Sequence, residues 1–460
     1  EGETMKLQTY SRRCELPVDA DAAFAWHEQP GAIDRLLPPW ENMQVERRTG
    51  GLHAGAEVVL VNRLGPLRLR WLAEHVAYQP PRLFEDVQRR GPFAHWDHQH
   101  RFSSEAGGGA SLEDHVEYAV PGGWLGQAVA GGFVRRQLDR MFAYRHETTV
   151  ADLSLHQRYR EKGLMRVAIT GCSGLVGSEL KSLLTTGGHE VRAITRRRQN
   201  EGDIEWDIAA GRIDAEQLEG LDAVVHLAGE NIAAGRWNAK QKAKIRDSRI
   251  EGTRLLCQTL AGLQHKPKVL VAASATGFYG DRGDEVLTED SPPGDNFLAD
   301  VCREWEAQSD VAKQADIRVV NLRFGMILSP KDGALKKMLL PAKLGGGRLG
   351  SGRQYWSWIG LDDAAGAIHH ALMTDSLSGP VNAVAPNPMT NSEFTKVLGR
   401  VISRPTILPA PAFGLKLALG QMADQLLLAS CRAVPDRLQQ SSYEFRHPTL
   451  EGALRFQLGR

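Results

Sequence analysis

MRVAITGCSGLVG, Met165 to Gly177, is the stretch on which the fold turns. Its first half is a continuous apolar run, suited to a strand buried on both faces. Its second half puts glycines at Gly171, Gly174 and Gly177, straight after that strand and ahead of a helical pattern. In such a loop the first glycine permits a tight turn and the second lets backbone approach a pyrophosphate. The third lets helix and strand pack closely. The free N–H groups at the helix start then suit an anion. A glycine triplet by itself also fits an ordinary strand–helix turn. At the first turn of a strand–helix–strand unit it points to a dinucleotide, with Ser173, Leu175 and Val176 completing the cradle. Downstream, EVRAIT, DAVVHLA, KVLVAAS and RVVNLR repeat the strand signal with helical stretches between them. That alternation predicts an α/β fold of Rossmann type, a doubly wound parallel sheet.

The end of the second strand selects the dinucleotide. NAD sites place a carboxylate about 20 residues beyond the glycines, to hold the ribose 2′-hydroxyl. Here Thr195 is followed by Arg196, 19 residues after Gly177, then by Arg197 and Arg198. A guanidinium suits a 2′-phosphate, so the expected cofactor is NADP(H). The competing reading is three solvated loop arginines.

Upstream of residue 160 the rhythm is different. Leu67, Leu69 and Trp71 alternate with arginines, as do Trp96, His98, His100 and Phe102 with polar residues, and Asp114, Val116 and Tyr118 with Glu113, His115 and Glu117. These read as half-buried antiparallel strands, with Gly65-Pro66 among the turns. Phe133, Leu138, Met141 and Phe142 then recur near helical spacing. The expected organisation is a cavity domain at 5–150, a linker at 151–163, a nucleotide-binding domain at 164–378 and a C-terminal domain at 379–460. Met5 reads as a native start.

Composition excludes several classes. Lys+Arg is 56 and Asp+Glu 55, which argues against a broad nucleic-acid footprint. Five cysteines without a Cys-x-x-Cys pair argue against a disulfide framework or zinc ribbon. No apolar run is long enough for a membrane span, and a cytoplasmic protein with a small-molecule substrate or ligand is expected, a homodimer remaining open. The 47 glycines exceed the usual ~7%. Gly229 and Gly325 are read as strand-end glycines beside the nucleotide, and Gly345–Gly352 as a lid.

The TGxxGxxG spacing resembles the extended short-chain dehydrogenase/reductase superfamily. HLAGENIAAGRW (His226–Trp237), SRIEGT (Ser248–Thr253), ASATGFYG (Ala273–Gly280), VCREWE (Val301–Glu306) and WSWIGLDD (Trp356–Asp363) narrow the resemblance to an epimerase-like family of unassigned activity, over roughly 165–455. The resemblance implies that Leu227, Ala228 and Gly229 lie beside the adenosine ribose and pyrophosphate. It implies that Glu230 and Arg236 reach the cofactor from a loop, and that Arg323 stands near the nicotinamide. Asp207 is either an adenine contact or a turn cap.

The superfamily usually works with a Tyr-x-x-x-Lys helix and a nearby Ser, the tyrosine exchanging a proton with substrate. Counting back from Glu306 puts Leu298 and Cys302 at the Tyr and Lys positions, and counting back from Tyr279 puts Ala275 at the Ser position. The candidate catalytic set is therefore Tyr279 with Ser274 or Thr276. A structural role for Tyr279, and a protein that binds NADPH without turnover, stay open beside it. Trp356 and Trp358 either stack on a ligand or pack between domains, and Asp362 and Asp363 read as helix caps.

Residues 5–150 resemble the SRPBCC or START-like superfamily, which implies an α+β helix-grip fold with an apolar ligand cavity. His95, His98, His100 and His115 raise metal binding, since His98 and His100 share a strand face. No cysteine or second close pair completes a set, so the expectation is no metal, with Trp96, His98, His100 and Phe102 lining a cavity wall.

Overall fold

The period-two segments form one antiparallel sheet in the computed structural model, which describes residues 7–64 and 67–460. Its strands are β1 (Gln8–Leu16), β2 (Met43–Arg48), β3 (Glu57–Leu64), β4 (Leu67–Gln79), β5 (Leu83–Arg90), β6 (His95–Ser104) and β7 (Ala110–Ala119). They lie in the order β1-β7-β6-β5-β4-β3-β2. Along β6 the alternation is strict: Trp96, His98, His100 and Phe102 are buried, and the residues between them are not. Helices α1 (Ala20–Glu28), capped by Asp19, and α2 (Ala32–Leu36) precede the sheet's body. Helix α3 (Gly123–Tyr159) closes it, packing Leu138 and Phe142 into a cluster with Tyr10, Trp96 and Val116. The Gly65-Pro66 turn and the Met5 start lie outside the described residues.

The expected boundary at 150 does not hold. Helix α3 runs without a break to Tyr159, so most of the 151–163 segment is helix of the first unit. Its polarity hid a buried ion pair: Asp152 accepts two hydrogen bonds, each 2.7 Å, from Arg35 on α2. By compactness the chain divides into two units, with the main break between Gly163 and Leu164.

The second unit is the doubly wound sheet. Strands β8 (Arg166–Thr170), β9 (Glu190–Thr195), β10 (Ile204–Asp207), β11 (Arg212–Ile213), β12 (Ala223–His226) and β13 (Val269–Ala275) are followed by Arg318–Phe324 and Gly379–Ala383. The order is β11-β10-β9-β8-β12-β13, then those two strands. All neighbours are parallel except β10 and β11. Val167, Ala168 and Ile169 are fully buried, as a strand covered on both faces requires. Chain order reverses between β8 and β12, which makes the crevice at their carboxyl ends the switch point where such sheets bind ligands. Gly379–Ala383 pairs with Arg318–Phe324, so the expected boundary at 378 would cut the sheet. The last strand belongs to the nucleotide-binding domain.

The C-terminal segment packs a helix at Asn391–Ile402, closed by a Thr390/Glu393 capping box, and a helix at Leu450–Leu458. Trp356 and Trp358 are buried with Phe394 and Leu454 in that core, so they pack and do not stack on a ligand. Asp362 and Asp363 lie inside the first turn of the helix Leu361–Met373, whose N-cap is Gly360. Asp363 accepts the backbone N–H groups of Arg446 and His447 and so fastens a distant loop instead of capping its own helix. The expected lid is tied down: Gly346–Leu349 pairs with Leu408–Ala410 as a strand. No helix among the described residues is long and apolar enough to cross a membrane.

Candidate functional site

The glycine loop is shaped as the spacing predicts. Gly171 has φ +69°, and a Cβ there would meet the Leu227–Ala228 backbone at 3.0 Å. A Cβ on Gly177 would stand 2.2 Å from the Gly171 carbonyl, so only glycine lets helix α4 (Leu175–Thr186) start this close to the strand. Gly174 differs: its Cβ position meets only the Gly171 carbonyl, and its other side is open. That open side is the room a pyrophosphate needs, with Ser173, Leu175 and Val176 contributing loop and helix-start backbone. The residues present thus fit a dinucleotide.

A hydrogen-bonded clasp holds the two strand ends together. Thr170 Oγ1 accepts the N–H groups of Leu227 and Ala228, at 3.0 and 3.1 Å. Its hydroxyl is paired with His226 Nδ1 at 2.7 Å. With both lone pairs engaged, Thr170 must donate its own proton, so Nδ1 accepts and His226 is neutral with its proton on Nε2. Nε2 then donates to Thr253 Oγ1 at 3.0 Å, and Thr253 donates to the Arg249 carbonyl at 2.6 Å. Burial pushes the His226 pKa down to about 4, in agreement with that tautomer.

Around this clasp the other expected cofactor residues fall unevenly. Gly229 is exposed and Glu230 half-buried, the Glu230 N–H bonded to Ser248 Oγ. An open groove beside them is lined by Glu230, Lys240, Ala243, Lys244, Asp247 and Ser248. Arg249 was missed by the sequence reading although it stands in SRIEGT. Its guanidinium lies 3.4 Å from the Cβ position of Gly229 and donates to the Glu230 carbonyl. Thr195 ends β9, and its hydroxyl donates to the Arg197 carbonyl. Arg198 pairs with Asp214, whereas Arg196 is exposed with no ion pair among the described residues. Arg236 is exposed, its guanidinium beside Gly420. Asp207 caps a turn by accepting the Ala210 N–H.

Three expectations are corrected. Arg323, expected near the nicotinamide, is engaged by protein partners. It is 3% exposed, forked onto Glu306 by two 2.8 Å bonds, and donates to Tyr279 Oη at 3.0 Å. A guanidinium taken out of water needs such partners, and with the Glu289 carbonyl they engage four of its five N–H donors. Tyr279 is fully buried, its hydroxyl donating to Asn382 Oδ1 at 2.7 Å. Burial pushes its phenol up to about 12 despite Arg323 beside it, so it holds its proton. Ser274, 3% exposed, donates to Glu306 Oε1 at 2.6 Å. The expected catalytic residues therefore form one sealed structural network, and of the set only Thr276 is half-exposed. Cys302, on helix α5 (Ala239–Gly262)'s neighbour Phe297–Ala307, is pushed by burial up to about 12 and is no thiolate. Gly325 packs against the Ser357 carbonyl, a close backbone approach.

Comparison with known proteins places this geometry. Over 290 residues the chain is 42% identical to epimerase family protein Mb2239 of Mycobacterium bovis, covering 63% of this chain and 96% of the relative. The chain belongs to the epimerase family. Residues 167–383 match the NAD dependent epimerase/dehydratase family, and 410–457 match a domain of unknown function, DUF1731. Residues 16–146 match the polyketide cyclase / dehydrase and lipid transport family. A nucleoside-diphosphate sugar epimerase of Corynebacterium glutamicum is 34% identical, with a TM-score of 0.82 over 98% of this chain and 90% of its own. Human epimerase family protein SDR39U1, solved with NADPH, is 34% identical with a TM-score of 0.60, over 64% of this chain and 99% of the human one.

Proposed function

We propose that this epimerase-family chain binds NADP(H) between β8 and β12 and carries out oxidoreductase-type chemistry on a small molecule, with the first unit holding an apolar ligand. The observation that carries this reading is the glycine cradle: Gly171 and Gly177 leave no space for a Cβ, while Gly174 opens onto the crevice. The NADPH found with human SDR39U1 supports it. The α4 start, Leu227, Ala228, Gly229 and Glu230 would hold the cofactor, which when bound supplies a hydride carrier. Arg196, exposed and unpaired among the described residues, would hold the 2′-phosphate.

Arg196→Glu tests the choice of dinucleotide. Removing a charge-assisted bond and adding a like charge should weaken NADPH by roughly 10- to 100-fold, equivalent to about 1.5–3 kcal/mol. NADH affinity should change by less than about two-fold. Calorimetric titration with both dinucleotides gives the answer, and equal losses would remove Arg196 from the 2′-phosphate site.

A second reading, an NADP(H) sensor without turnover, is favoured by the sealed Tyr279. Tyr279→Phe separates a structural from a proton-transfer role. As a buried hydrogen-bond partner of Asn382 and Arg323 it should cost about 1–3 kcal/mol of stability, leaving NADPH affinity and any NADPH oxidation by the folded variant unchanged. Loss of turnover at intact stability would restore Tyr279 as the acid.

A further inference from the structure

The first unit holds a polar cluster that the dinucleotide chemistry does not use. Three neighbouring strands and one helix supply it. Asp86 lies on β5, His98 and His100 on β6, Asp114 on β7 and His146 on α3. Register sets them side by side, Asp86 opposite His98 and His100 opposite Asp114. Cross-strand pairs share a face, and here it is the buried one: His98, His100, Asp114 and His146 are all under 9% exposed.

The distances fall into two groups. Asp86 Oδ1 lies 3.4 Å from His98 Nδ1 and 3.7 Å from His100 Nε2. Both exceed ordinary N–H···O bonds; the shorter matches the edge of a tetrahedral site, about 3.3–3.4 Å for ligands about 2.0–2.1 Å from a metal, and the longer is somewhat beyond it. These three ligand atoms all lie within 4.8 Å of one another. On the far side of both rings stands one carboxylate. Asp114 Oδ1 is 2.9 Å from His98 Nε2 and 2.7 Å from His100 Nδ1, and Asp114 Oδ2 is 2.5 Å from His146 Nε2. The His98–Asp114 hydrogen bond is the carboxylate–imidazole arrangement that fixes tautomer and ring orientation, whereas His100 Nδ1, close to the same oxygen, makes no hydrogen bond there among the described residues.

A further buried nitrogen on the same face supports a site there. His75, opposite Asp86 on β4, is 7% exposed, and its Nδ1 has no hydrogen-bond partner among the described residues. The nearby Arg145 gives its Nε to the Leu36 carbonyl.

We propose that Asp86, His98 and His100 form a binding site for one divalent transition-metal ion, with Asp114 as the shared outer carboxylate and His146 orienting it. Two imidazoles and one carboxylate leave a coordination position open, the composition of sites that take Zn2+ or Fe2+. The proposal departs from the sequence expectation of no metal, which set the histidines beside one another; the carboxylates that would complete the set come from the flanking strands.

The test uses the full chain, stripped with EDTA and titrated with Co2+, whose visible bands report tetrahedral coordination, and then with Zn2+ in competition. One Co2+ per chain, displaced by Zn2+, is expected. Asp86→Asn, which keeps the side-chain shape at a partly exposed position, and His98→Ala should each abolish stoichiometric binding. Asp114→Asn should weaken it by about 10- to 100-fold. His115→Ala should leave it unchanged, since His115 points to the other face and bonds Ser11. Circular dichroism confirms that each variant is folded, and Asp86→Asn decides the matter if His98→Ala is not. Absence of stoichiometric Co2+ in the wild type, or binding unaltered by Asp86→Asn, overturns the site.

Discussion

Glu306→Ala should destabilise the second unit by about 3–5 kcal/mol, the range for removing one partner of a buried ion pair. Glu306 is the only carboxylate that Arg323 engages among the described residues, through two parallel bonds of 2.8 Å. Without it the guanidinium keeps Tyr279 Oη and the Glu289 carbonyl, neither of which carries a charge. Phe278 adds a cation–π contact at 3.5 Å from its ring centroid, too weak to replace the carboxylate. Ser274 would lose its acceptor as well. The asymmetry of buried pairs supplies an internal control. Replacing both members, Arg323→Met with Glu306→Leu, removes the orphaned charge and should recover most of the loss. Urea unfolding followed by hydrogen exchange of residues 165–383 measures both variants. A loss below about 1 kcal/mol for Glu306→Ala would mean that Arg323 finds water or another anion, and the sealed network would be wrong.

That network also shows where sequence reasoning stopped. The strand β8, the loop at Gly171–Gly177 and the arginines after β9 were legible because each signal is local: an apolar run, a spacing, a charge at a strand end. The fate of Tyr279 was not. Its partners Arg323 and Asn382 lie 44 and 103 residues away, and only the finished sheet brings them together. Glu306 served as a counting mark in the sequence, and nothing local reveals that it neutralises a strand residue 17 positions on. The same limit explains α3. Residues 151–159 look like a polar linker until Asp152 is seen buried against Arg35, 117 residues earlier. In the first unit, His98 and His100 were visible as a pair on one face, but Asp86 and Asp114 join them only through the pairing of β5, β6 and β7. Local periodicity fixes elements and loop chemistry; charges that meet across a sheet need the topology first.

The clasp at Thr170 makes a prediction about acid. In the native state His226 is neutral, its pKa pushed by burial down to about 4, whereas an unfolded histidine titrates near ~6.5. A histidine with a depressed native pKa stabilises the fold fully above the unfolded value and loses that contribution as pH falls towards the native one. The window is therefore about pH 6.5 down to 4, and the loss approaches about 3 kcal/mol at its lower end. The hydrogen bonds give the same sign independently. A proton on Nδ1 would face Thr170 Oγ1, which already accepts from Leu227 and Ala228. The groups packed on the ring are uncharged: Thr170, Thr253 and the edge-on Trp206. His226→Asn lacks the titrating ring, so subtracting its pH profile from that of the wild type isolates the effect from every other carboxylate and histidine. The wild type should lose about 3 kcal/mol more than the variant between pH 7 and pH 4. Parallel profiles would mean that His226 is charged in the native protein and that the tautomer assigned from Thr170 is wrong. Because the same hydroxyl holds the ends of β8 and β12 together, the difference should appear first as faster hydrogen exchange at Leu227 and Ala228, before the unit as a whole unfolds.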